Sequence, residues 1–142
     1  MIPLYTLFET KKESCPLIKQ KFLIHKHNAN RAGLHYDLRI EHNCMLLSWA
    51  TRKMPELISG TTSKIALFEQ PVHDPSWFDF EGDIDDGYGA GKVLIWDKGS
   101  YDIIKWGDHL ILDFHGNRLK GIYVLLPYPM QDNQWLMFRK KI

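Results

Sequence analysis

Leu34, His35, Tyr36, Asp37, Leu38, Arg39, Ile40 and Glu41 alternate strictly between apolar and chemically active side chains. Successive side chains of an extended strand point to opposite faces, so His35, Asp37, Arg39 and Glu41 share one face and Leu34, Tyr36, Leu38 and Ile40 the other. An imidazole, a carboxylate and a guanidinium in a row are the parts for holding a metal ion and an anion side by side. A merely solvated face would more usually carry Thr, Lys, Ser or Gln. A half-buried strand with a wet polar face gives the same alternation, so the weight falls on a second group upstream. Phe22 to His27 also reads as a short strand, ending His25-Lys26-His27, and residues 28–33 are turn chemistry. His27 is thereby within reach of His35 and Asp37. Two imidazoles and one carboxylate, with coordination positions left open, make a catalytic rather than a closed structural metal site.

Strands of this kind need a frame, and the rest of the chain supplies one. Further strand candidates run over 44–50, 64–69, 92–97, 101–105, 109–114, 119–126 and 134–139, with turns at Lys98-Gly99, Gly107-Asp108 and Gly116-Asn117. Residues 54–62 read as a loop, 71–79 as an irregular connection and 85–91 as a glycine-rich loop. Two helix candidates, near 55–58 and 75–78, are each about one turn. Turn signals every eight to twelve residues without helical periodicity predict an all-β fold. A single closed or nearly closed β-barrel is expected, because closure removes strand edges and offers a mouth or interior for a polar catalytic face. Residues 1–20 read as an N-terminal arm and 21–142 as the barrel domain. The acidic run at 83–87 lacks the ligand spacing of a calcium loop, and 87–92 lacks the spacing of a phosphate loop.

Composition narrows the function classes. The 142 residues suit one domain, with 44% apolar and 25% charged residues. A net charge of +1 provides no global basic field, so any nucleic-acid contact must come from a local patch. Aromatic content is 13%, with five Trp, which supplies core volume first and stacking platforms second. Cys15 and Cys44 show no paired spacing, which predicts reduced thiols and a cytoplasmic setting. Residues 1–8 are apolar but short and carry no basic leader, so no signal peptide is expected, and no window reaches membrane-spanning length.

Lys26-His27-x-Ala29, His35 to Glu41, and Ser48-Trp49-Ala50 followed by Lys53 are similar in type and order to the 3′-phosphoesterase domain of bacterial and archaeal DNA ligase D. The likeness continues through His73, Asp79-Phe80-Glu81-Gly82, Tyr88 to Gly91, the strand ending Ile95 to Gly99, Arg118 to Gly121 and Trp135. It spans about residues 21 to 140, and the colinear order makes it specific. The resemblance implies a Mn2+-dependent enzyme on a β-barrel, with Co2+ or Zn2+ as alternative ions. Such an enzyme heals DNA 3′ ends in non-homologous end joining: it removes a terminal ribonucleoside and then the remaining 3′-phosphate. It implies His27, His35 and Asp37 as metal ligands, and Arg39, Lys53 and His73 as catalytic groups around the scissile phosphate, with Lys64 as a further phosphate ligand. Glu41 and Trp77 would stand behind them. Substrates would be primer-template DNA 3′ ends carrying a ribonucleotide or phosphate. The chain reads as free-standing, with a ligase, a repair polymerase and a Ku-like protein acting in trans, and with no membrane partner.

Three features depart from the family pattern. Ala32-Gly33 lengthens the connection between the histidines, which puts His25 in competition with His27 for the ion. Lys64 stands where an Arg is usual, and its spacing to His73 is off by one. Trp77 replaces a Tyr, so a phenolic hydroxyl is lost. Two rival readings make different use of the same residues. A non-haem iron oxygenase dependent on an oxo-acid would use His35, Asp37 and a distal His109, with Arg118 binding the cosubstrate. A non-catalytic single-strand nucleic-acid-binding barrel would use aromatics and local cations without a metal.

Overall fold

The computed structural model describes residues 20–85, 87 and 90–141. Among them run nine strands: β1 (Lys21–Ala29), β2 (Gly33–His42), β3 (Met45–Thr51), β4 (Lys64–His73), β5 (Gly82–Ile84), β6 (Gly91–Trp106), β7 (Leu110–Gly116), β8 (Lys120–Pro127) and β9 (Gln134–Arg139). Every pairing among them is antiparallel. They follow the order β1-β2-β3-β4-β9-β8-β7-β6, and β6 returns to pair with β1. Eight strands thus close a barrel, while β5 lies against the start of β6. The two helix candidates are one α-helix, α1 (Met54–Ser59), and a single 3-10 turn at Pro75–Trp77. Gly60, at a φ of 81°, ends α1 in the left-handed conformation that suits glycine.

Strand parity decides what fills the barrel. Phe22, Ile24, Tyr36, Leu38, Leu47 and Trp49 belong to one buried cluster with side chains from β4, β7, β8 and β9. Each fully buried large apolar side chain there contributes about 1.5–3 kcal/mol. The opposite parity of β1, β2 and β3 therefore faces outward, yet it is not exposed. The segment after β4 folds back across this outer wall, and Phe78 packs on Leu23 and Leu46 with Trp77 and Ile95 around it. The polar face lies on the covered outside of the wall, not in the mouth or interior that barrel closure suggested. The interior is already filled by aromatic and aliphatic side chains.

Other expectations are corrected by particular contacts. The turn at Lys98-Gly99 does not form: β6 runs through it and changes partners, Gly99 pairing with both Phe22 and Gly116. A Cβ at Gly99 would collide with the His115 carbonyl, so glycine here permits close strand approach, not reversal. β4 continues past residue 69 to His73. Leu46 pairs with His73 and Ser48 with Gln70, so β4 holds one residue more than β3 across this stretch. Such a bulge, at Pro71-Val72, bends the strand and re-aims the residues beyond it, and proline is tolerated there. Cys44 is disulfide-bonded, not a reduced thiol, because spatial approach and not sequence spacing determines pairing. The arm over residues 1–20 lies outside the described residues except for Gln20. No helix among the described residues is long and apolar enough to cross a membrane.

Candidate metal centre

The register of β1 on β2 assembles the site. His27 lies directly opposite His35, and His25 opposite Asp37. Cross-strand partners share a face and stand about 5 Å apart, so two rows of polar side chains meet on the outer wall. His35 Nε2 is 3.5 Å and His27 Nδ1 3.7 Å from Asp37 Oδ2, and the two imidazole centroids are 4.7 Å apart. One donor atom from each of the three residues lies within 4.8 Å of the others. Such separations suit donors each about 2.1 Å from a shared ion. The His35 Nδ1 atom is 3.2 Å from the Gly33 carbonyl. Donating there, it would leave Nε2 for an ion once the proton shared with Asp37 has gone, the tautomer and second contact common to metal-bound histidine. The donor set, two nitrogens and one carboxylate, fits a divalent transition metal with open positions.

Electrostatics agree. Burial pushes the Asp37 carboxyl upward, but hydrogen bonding to His27 and His35 and the Arg39 charge outweigh it and hold the pKa well below the usual carboxylate range. Asp37 is thus ionised at neutral pH. The His35 pKa is raised, first by its bond to Asp37, against the opposing effect of burial. That proton must leave before Nε2 can bind a cation.

Arg39 is 3.7 Å from Asp37 through Nη2 and is gripped from two other sides. Its Nε donates to His25 Nδ1 at 2.9 Å and its Nη1 to Ser48 Oγ at 2.8 Å. The other ring nitrogen of His25 is 2.8 Å from the Phe80 carbonyl. His25 Nε2 therefore donates while Nδ1 accepts, which defines a neutral ring. Burial first, and the Arg39 charge second, lower its pKa to about 4. With both nitrogens committed, His25 does not compete with His27 for an ion. It fixes the guanidinium plane beside Asp37.

A cavity of about 270 Å³ opens over these groups, lined among others by His27, His35, Asp37, Arg39, His73 and Trp77. The bulge in β4 brings His73 to this wall. Burial, then Arg39, lowers its pKa. Trp77 stands edge-on to His73, ring centroids 5.6 Å apart, and packs against Phe80. Lys53, just before α1, lines a neighbouring cavity that shares His35, Ala32 and Gln70 with the first. Glu41 lines neither. Lys64 is not brought to the cluster at all. It sits at the opposite end of β4 from His73, in a separate cavity with Phe138, Lys140 and Lys141.

The set an oxygenase would need does not form. His109 bonds Asp108, and Arg118 lies over Trp96, 4.5 Å from its centroid, donating to the Trp96 carbonyl. The second imidazole beside His35 and Asp37 is His27. Asp97, within the Ile95 to Gly99 motif, is also accounted for by local structure: its carboxylate accepts the backbone N–H groups of Asn117, Arg118 and Leu119, bracing the β7–β8 turn.

The roles of three site residues were not evident from sequence. The signal for His25 was its parity with His27, but its pairing with Arg39 depends on the β1–β2 register. Ser48 pairs with Arg39 across β2–β3, and Gln70 with Ser48 across β3–β4. Serine and glutamine on a strand carry no distinctive pattern.

Comparison with known proteins adds an independent line. A family model for the DNA ligase D 3′-phosphoesterase domain matches residues 25–127. The multifunctional non-homologous end joining DNA repair protein LigD of Mycobacterium tuberculosis (strain ATCC 25618 / H37Rv) is 38% identical over 126 residues, covering 84% of this chain and 16% of that protein. The multifunctional non-homologous end joining protein LigD of Mycolicibacterium smegmatis is 33% identical over 135 residues, 85% of this chain and 17% of the relative. That of Pseudomonas aeruginosa is 33% identical over 140 residues, 92% and 16% respectively. The chain spans about one sixth of the length of these curated relatives.

Proposed function

The chain belongs to the DNA ligase D 3′-phosphoesterase family, and from that premise we propose that it is a metal-dependent hydrolase that prepares DNA 3′ ends for joining. Its reactions would be cleavage of a phosphodiester to release a terminal ribonucleoside and removal of the resulting 3′-phosphate. The observation that carries this reading is one cavity lined by a His27-His35-Asp37 donor set, an anchored arginine and a histidine on a third strand.

Mn2+ is the proposed ion, with Co2+ or Zn2+ as alternatives. When bound by His27, His35 and Asp37, it would supply Lewis-acid polarisation of a phosphoryl oxygen and a water of lowered pKa. Arg39 presents its Nη2 edge to a phosphate oxygen beside that ion. The bonds to His25 and Ser48 hold its plane before substrate arrives, so little reorganisation is needed when charge develops. His73 is neutral at rest. Burial first and the Arg39 charge second depress its pKa, and a bound phosphate offsets the second, which favours a proton on the ring for the leaving oxygen. Lys53 adds a point charge at the edge of the cavity. Trp77 gives His73 an apolar wall. A DNA substrate goes with a cytoplasmic location, and a ligase, a repair polymerase and a Ku-like protein are the partners this reading calls for.

The test is purified protein on a labelled duplex ending in one 3′ ribonucleotide, with and without Mn2+. Loss of the ribonucleoside, then of the phosphate, and abolition of both by chelator are expected. Turnover indifferent to chelator, or none with any divalent ion, would overturn the reading. A His109→Ala variant retains activity, whereas an oxygenase built on that residue would lose it.

A further inference from the structure

Lys64, Ala66, Phe68 and Gln70 alternate onto the outer face of β4, because Ile65 and Leu67 between them point into the barrel core. This row begins at the metal centre and leads away from it. Ala50 separates Asp37 from Phe68 in a direct cross-strand line, Asp37 to Ala50 to Phe68. Two strand spacings place Phe68 about 10 Å from Asp37. Because Ala50 is small, a cavity of about 500 Å³ opens between them, flanked by Arg52 and Lys53 and sharing His35 and Gln70 with the metal cavity. Phe68 is 43% exposed, and no ring is stacked on it among the described residues. Farther along the same face, Lys64 pairs with Phe138 across the sheet, and Phe138 with Val124. That row floors a second cavity, of about 550 Å³, rimmed by Lys64, Arg139, Lys140 and Lys141. Neither cavity has an acidic side chain in its described lining. The one carboxylate on this stretch of β4, Glu69, is bonded to the Trp135 indole at 2.9 Å.

From this continuity we propose that the outer face of β4 is the track for the nucleic-acid strand bearing the 3′ end, with a base stacked on Phe68 and upstream phosphates held at Lys64 and Lys140. The proposal rests on the catalytic reading of the metal centre for its direction, since the 3′ terminus must lie at Asp37. An exposed ring between two cationic stretches is the arrangement that binds single strands without reading sequence. The strand rises about 3.3 Å per residue, so Gln70 to Lys64 spans roughly 20 Å, the length of about six stacked nucleotides. A net charge near neutrality has concealed this local asymmetry.

Fluorescence anisotropy of 5′-labelled oligonucleotides ending in a 3′-phosphate tests the track. A strand of about ten nucleotides should bind more tightly than a dinucleotide. Phe68→Ala should weaken the longer strand about tenfold, and Phe68→Trp should restore it. A Lys64→Glu/Lys140→Glu pair should weaken the longer strand at least tenfold more than the dinucleotide and flatten the salt dependence of its binding. Equal losses on both lengths, or no loss with either variant, would overturn the track. Circular dichroism of each variant excludes unfolding as the source of a loss. The catalytic reading fails separately: length-dependent binding without hydrolysis in Mn2+ would remove the enzyme and leave the track, and hydrolysis with binding indifferent to these changes would do the reverse.

Discussion

Two clusters in this barrel are built on one plan and differ in what surrounds them. At His27, His35 and Asp37, two ligand types sit two residues apart on one strand and a third faces them from the next. Asp113 and His115 repeat that spacing on β7, with Asp102 directly across on β6. His115 Nε2 is 2.8 Å from Asp102 and 3.7 Å from Asp113. In both, the donor atoms fall within one ligand-sized space. The first cluster is covered by the segment after β4 and backed by Arg39, while the side chain of Asp102 is 73% exposed. Water screens the second, so its ion pairs contribute little and no preorganised charge lies beside it. Ligand spacing on paired strands is thus easily made. Burial beside a fixed cation is what sets the first cluster apart from the second.

The sharpest way to break that contrast is to remove one carboxylate from each. Asp37→Ala should lower hydrolysis on the order of 10⁴-fold and abolish calorimetric Mn2+ binding, while Asp113→Ala leaves both unchanged. If Asp113→Ala is equally damaging, the distinction collapses. Arg39→Lys should come next, with turnover falling about 10²-fold, because a lysine cannot reproduce bonds to His25 and Ser48 while facing phosphate. His25→Ala should cost about tenfold in turnover with little change in metal affinity. His25→Gln should recover most of it, since an amide can accept from Arg39 Nε and donate to the Phe80 carbonyl.

Acid should lower stability through two buried histidines outside both clusters. His25 and His42 are both buried, with folded pKa values lowered to about 4 from 6.5. Between those values the unfolded chain binds protons that the folded chain refuses. Stability therefore falls as pH is lowered from 6.5 toward 4. Thermal melting across that range should show the decline, and His42→Gln should flatten part of it. Mn2+ affinity should weaken on the same descent, because His35 must release its proton to bind. The smallest effect belongs to the surface: Asp102→Asn should shift stability by no more than about 0.5 kcal/mol in either direction.

The sequence alone determined most of the strands, the residue types of the polar row and the family. Alternation is a property of one extended segment, so the polar row from His35 to Arg39 and the apolar row from Tyr36 to Ile40 could be read without any partner. Only the tertiary structure decided which parity fills the barrel, that His25 grips an arginine instead of an ion, and that a bulge at Pro71-Val72 delivers His73 while Lys64 is carried to the far end of the same strand. The physical reason is that register and closure are set by contacts between residues distant along the chain. A strand's own side chains specify two faces, but what lies opposite each one is fixed only when the sheet has closed.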